Sequence, residues 1–131
     1  MDIVTRQQLN VLIQLAKVDK HFAKVEERFI HQIAETYGFE KKEVEKIIND
    51  PEPIGSFGAL SDQRKFEYLY NLILLMLADK VIHPSETIFC QSMAIKMGYR
   101  KEVVDEMAQK MNTNDPPSLQ SLFDLTRKYQ L

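Results

Sequence analysis

Two carboxylates recur in the chain at fixed spacing: Asp19 with Glu26, and Asp79 with Glu86, sixty residues on. An Asp seven residues before a Glu can do three kinds of chemistry. The pair can hold a divalent cation, accept hydrogen bonds from the free N–H groups of a helix start, or divide acid and base roles if one pKa is raised. Each pair has a histidine close by, His21 in the first and His83 in the second, at positions that do not correspond. The spacing matches the back half of an EF-hand loop, but the front half fails. Its first and third ligand positions hold Leu15 and Lys17, or Leu75 and Leu77, and its glycine is Lys20 or Lys80. The metal candidates are therefore Asp19, Glu26, Asp79 and Glu86, with His21 and His83, and the expected cofactor is none beyond a weakly held divalent cation. His31 aligns with Gln91 and reads as a surface residue rather than a ligand. No nucleophile elbow, phosphate loop or His-Glu metal motif accompanies the carboxylates, so catalytic residues are expected to be none and the chain is not expected to be an enzyme.

The pairs sit inside a longer internal repeat. Residues 9–48 laid over 69–108 without a gap match at Leu9/Leu69, Leu12/Leu72, Ile13/Ile73 and Leu15/Leu75, then at Ala34/Ala94, Gly38/Gly98 and Val44/Val104, besides the charged positions. The apolar matches recur at three and four residues, which is helical periodicity, and no alternating strand pattern appears. The fold class is therefore all-α, about seven helices, in one domain over 1–131. Repeat one spans about 6–49, a loop 50–61, repeat two about 62–111, and a C-terminal helix about 116–129.

Thr5 and Gln8 have capping-box spacing, which predicts a first helix from there to about Lys20. A second helix starts near Lys24 and ends at Gly38, and a third covers about Glu40 to Asn49. PEPIGSFGALS, with two prolines and two glycines, is the one evident loop. Ser61 caps a fourth helix to about Lys80, Pro84 fits the first turn of a fifth that ends at Gly98, and a sixth runs to about Met111. Asp115 is expected to cap the last helix from Pro116, with Leu119, Leu122, Phe123 and Tyr129 on one side. In this plan each repeated Asp faces the negative end of a helix dipole, a cost of about 0.3–1 kcal/mol that calls for a cap or a cation.

The repeats diverge on one face. Arg6, Asn10, Gln14 and Lys17 form a polar stripe, expected to be wet, whereas the matching positions are Phe66, Tyr70, Leu74 and Leu77. An apolar stripe of that size needs a cover. The C-terminal helix is the expected one, and a homodimer interface the alternative, so these four are the interface candidates. The oligomeric state is left as monomer or homodimer.

The 131 residues carry a net charge of -2 with both signs interleaved, and no basic run tracks a phosphate backbone, so no nucleic-acid partner is expected. The N-terminal ten residues lack the apolar run of a signal peptide, and Leu72 to Ala78 is too short to span a bilayer. The expected location is cytoplasmic, with no direct membrane insertion. Cys90, the sole cysteine, excludes an internal disulfide and reads as a small buried hydrophobe.

An Asp at a helix end, an apolar residue three on, Glu seven on and Gly twelve further resembles the TerB-like family of tellurite-resistance domains, over about residues 6–111. The family motif reads Ala-Asp-Gly, an apolar residue, then Glu. Ala78, Asp79, Ile82 and Glu86 match it, as do Asp19, Phe22 and Glu26, while Val18 replaces the alanine and Lys20 and Lys80 replace the glycine. The resemblance implies an all-helical fold with internal pseudo-twofold symmetry, and a stress-response role as a metal-sensing or docking module without a defined reaction. The expected activity is thus a non-catalytic docking adaptor for a protein partner, with divalent-cation binding at the Asp/Glu corners as the alternative.

Overall fold

The computed structural model describes residues 2–18, 24–79 and 81–131. Seven helices make up the regular structure of these residues: α1 Ile3–Lys17, α2 Lys24–Thr36, α3 Lys41–Asn49, α4 Asp62–Ala78, α5 Pro84–Lys96, α6 Glu102–Met111 and α7 Leu119–Arg127. The all-α expectation holds. The repeated apolar residues form the centre, where Leu9, Leu12, Ile13, Leu69, Leu72 and Ile73 are all buried and α1 packs along α4. Asn71 Nδ2 donates to Gln8 Oε1 at 2.5 Å across that contact, and the buried Tyr68 hydroxyl donates to the Val4 carbonyl.

The other helices lean on this pair in matching fashion. α2 and α3 pack on α1, and α5 and α6 pack on α4; in addition α2 reaches α4 and α5 reaches α1. The turns that send α3 back along α2 and α6 back along α5 use the same hydrogen bonds. Gly38 and Gly98 have φ of +79° and +92°. The following N–H groups, of Phe39 and Tyr99, reach back to the carbonyls of Ala34 and Ala94 at 2.9 Å in each case. A left-handed residue there is what lets the chain reverse, and glycine takes it without a Cβ penalty.

Several boundaries differ from those expected, each for a local reason. α1 begins before Thr5, because Asp2 Oδ1 accepts the Val4 N–H at 3.0 Å, and Thr5 turns its hydroxyl to Asp2 Oδ2 at 3.1 Å. It ends at Lys17. α4 stops at Ala78, so Asp79 is its C-cap in extended conformation and not a residue of its last turn. α7 starts at Leu119 with Ser118 as cap, its Oγ accepting the Ser121 N–H at 3.1 Å. Asp115 cannot serve, because Pro117 holds Pro116 out of the helical region. Leu119 consequently lies exposed, and Leu122 and Thr126 are the buried residues of α7.

The polar stripe of α1 is largely covered rather than wet, although the Arg6 side chain keeps 42% exposure. The loop after α3 lies across it, and Asn10 is only 2% exposed. Asn10 Nδ2 and Gln14 Nε2 donate to the Glu52 carbonyl at 2.8 and 2.6 Å, while Asn10 Oδ1 accepts the Glu52 N–H at 2.8 Å. Arg6 pairs with the Glu52 carboxylate and Lys17 with the Ile48 carbonyl. The same loop sends Phe57 into the core, edge-on to Tyr68 at 5.9 Å. At its Phe66 end the apolar stripe of α4 meets α7, as expected. Phe123 meets Phe66 edge-on at 5.4 Å, and Tyr70 stacks on Phe66 at 5.9 Å. Leu74 and Leu77 are half-buried.

Past α7 the chain is tied down by Arg100 N–H to the Tyr129 carbonyl at 2.7 Å, and by Leu131 N–H to the Gly98 carbonyl at 2.8 Å. Glu106 Oε1 accepts the Tyr129 hydroxyl at 2.8 Å and pairs with Lys128 Nζ at 3.1 Å. The Tyr129 hydrogen bond, more than the Lys128 charge, holds the Glu106 carboxyl below its usual range.

Two outcomes follow from these contacts. Asn10→Ala removes two of the three side-chain hydrogen bonds to the Glu52 backbone and should cost about 1–3 kcal/mol in urea unfolding, with faster amide exchange at Glu52. The depressed Glu106 pKa means its contribution to stability is fully present above the unfolded carboxylate value of about 4.3 and is lost as pH falls through the lower folded value. Acid titrations of wild type and Tyr129→Phe should therefore differ at neutral pH and converge in strong acid. Parallel curves over the whole range would contradict this linkage.

Candidate functional site

Of the corner carboxylates, Asp79 and Glu86 are engaged with backbone. Asp79 Oδ1 accepts the Val81 N–H at 3.4 Å. Glu86, third residue of α5 and 2% exposed, accepts the His83 N–H at 3.2 Å and forms a capping box with that residue. Pro84 in the first turn gives up no needed donor. α3 opens with the same device, Glu43 accepting the Glu40 N–H at 3.2 Å. Glu26 is likewise the third residue of its helix and 3% exposed. Asp19 and His21 lie outside the described residues. One turn on from Glu86, Cys90 is fully buried, and burial, reinforced by the Glu86 charge, pushes its thiol up to about 12.

Among the described residues, one group of three or more His, Cys, Asp or Glu side chains gathers its donor atoms within 4.8 Å, and it is not at a corner. It consists of Glu27, His31 and Glu45. Glu27 and His31 are four residues apart on α2 and so share a face. Glu45 comes from α3, which the Gly38 turn brings back alongside. His31 Nε2 lies 3.3 Å from Glu45 Oε1 and 3.9 Å from Glu27 Oε1. The His31 side chain is 26% exposed, those of Glu45 and Glu27 39% and 44%. All three therefore stay reachable from solvent.

These residues line a groove of about 720 Å³ between α2 and α3. Its lining includes the apolar residues Ala34, Phe39 and Val44. Lys24, Arg28 and Lys41 also line it, as does Glu35. Three basic and three acidic side chains thus surround His31, and neither sign dominates.

The matching place in the second half has different chemistry. Sixty residues beyond Glu27, His31 and Glu45 stand Thr87, Gln91 and Asp105, and Gln91 Nε2 donates to Asp105 at 3.4 Å. Where the first groove has Arg28 and Glu35, α5 carries Ile88 and Ile95, exposed by 61% and 51%. The Glu27–His31 spacing was visible in the sequence. The contribution of Glu45 depends on how tightly α3 folds back on α2, which spacing does not specify, so His31 read as a plain surface residue.

Compared with protein-family models, curated proteins and solved structures, the chain matches none. No helix of the described residues is long and apolar enough to cross a membrane.

The Cys90 environment makes one behaviour checkable. A thiol with its pKa raised this far stays protonated and shielded at pH 8. An aromatic disulfide reagent should leave the native protein unmodified and release a single equivalent of chromophore once the chain is unfolded in guanidinium. Rapid labelling of the native state would contradict the burial.

Proposed function

We propose that this chain is a non-catalytic, cytoplasmic docking module that takes a protein partner into the groove between α2 and α3. The observation that carries the reading is the groove itself, whose lining combines apolar side chains with charges of both signs. Apolar contact supplies affinity, and charges of both signs fix the register of a bound segment and reject wrong ones. The partner that fits is a segment with an apolar anchor flanked by acidic and basic residues. The protonated, buried thiol and the engagement of Glu86 in a helix start favour binding over catalysis. A TerB-like membership, with its two halves related by a pseudo-twofold and a role in stress response, belongs to the same proposal. Its support is the Asp79–Glu86 corner and the paired helix contacts about α1 and α4.

The test is capture from cell extract at low salt on the immobilised chain, with charge reversals as controls. Wild type should retain a defined partner. Arg28→Glu with Lys41→Glu should reduce the yield about tenfold, and Lys96→Glu, away from the groove, should leave it unchanged. Retention indifferent to the groove reversals, or no specific retention by wild type, would refute the reading.

A further inference from the structure

We propose that Glu27, His31 and Glu45 form a binding site for a divalent transition-metal ion of the zinc class. The inference stands whether or not a partner docks in the groove. Zinc is bound by imidazole nitrogen and carboxylate oxygen at about 2.0–2.2 Å, and two ligands on a tetrahedron with such bonds stand about 3.3–3.5 Å apart. The His31 Nε2 to Glu45 Oε1 separation of 3.3 Å already has that value. The Glu27 oxygen, at 3.9 Å from the same nitrogen, is about half an ångström too far. Its side chain is the most exposed of the three, so a small rotation meets little resistance.

The donor set also selects the ion. Calcium requires six to eight oxygens and magnesium an octahedron with several waters, whereas one imidazole with two carboxylates suits zinc and its first-row neighbours. Three protein ligands leave a fourth position for water or for a group entering the groove. Because the ligands come from two helices, the ion would tie α3 to α2.

The second half of the molecule shows what an ordinary contact at this place looks like. There the two helices are joined by the Gln91 amide and the Asp105 carboxylate, and a threonine stands at the position of Glu27. Helix packing therefore needs neither the imidazole nor the second carboxylate. The two carboxylates beside the imidazole repel each other, and an exposed His–Glu pair adds little to stability. A metal ion uses all three.

The test is calorimetry on the tag-free chain with zinc, and separately with calcium and magnesium. Zinc should bind at a single equivalent and raise the melting temperature, and the other two ions should give no saturable heat. His31→Gln and Glu45→Gln should each weaken zinc by about tenfold or more, a loss that even outer-shell changes can reach. Glu27→Thr with His31→Gln supplies the residue types that the second half already carries, so its metal-free melting temperature should equal that of wild type while zinc binding is lost. The absence of both heat and thermal shift at millimolar zinc would overturn the proposal. So would stoichiometric binding that survives His31→Gln and disappears in Asp19→Asn or Asp79→Asn, which would place the ion at the corners.

Discussion

The burial of α1 against α4 is the contact on which the remaining structure depends. Each of these helices supplies the same apolar residues at the same spacing, and each alone would expose them. Paired, they make a largely apolar seam that the other four repeat helices extend. α2 and α5 each reach both members of the pair, so no half of the molecule has a complete core by itself. A hydrophobic centre shared in this way ties the two halves together.

The seam leaves one further face on each central helix, and the two faces are closed by opposite chemistry. On α4 aromatic rings meet α7, and apolar area leaves water. On α1 amide side chains meet the backbone of the loop at Glu52. A buried amide is costly unless bonded, and so is loop backbone with no ladder of its own. Each is the partner the other lacks. That mutual satisfaction explains how a proline- and glycine-rich connection can lie against the core and still place Phe57 inside it.

What the two halves share is largely what the architecture requires. Gly38 and Gly98 permit the same reversal, and Glu86 satisfies the start of α5. Function is better sought where the halves differ. His31 and Glu27 have no counterpart of their type in the second half, and the exposed Ile88 and Ile95 have none in the first. The residues in common hold the turns and helix starts, which leaves the divergent positions free to acquire ligands.

Helix number, the reversals at Gly38 and Gly98, the start of α5 at Pro84 and the cover of Phe66 by the last helix were all legible in the chain, because each depends on local backbone preference or on apolar period. The start of α7 was misplaced because two prolines in succession act on each other, and that of α1 because Asp2 outcompetes Thr5 for the cap. The cover over the stripe of Arg6, Asn10, Gln14 and Lys17 was missed because periodicity reports which residues share a face, not what lies over that face. By itself the sequence determined an all-helical chain whose apolar positions recur sixty residues apart, through propensities and periods that act within a few residues. Only the tertiary structure decided that a loop closes α1 and that Glu45 meets His31 and Glu27. Contacts between segments far apart in the chain are set by how whole helices pack, and no local pattern encodes that distance.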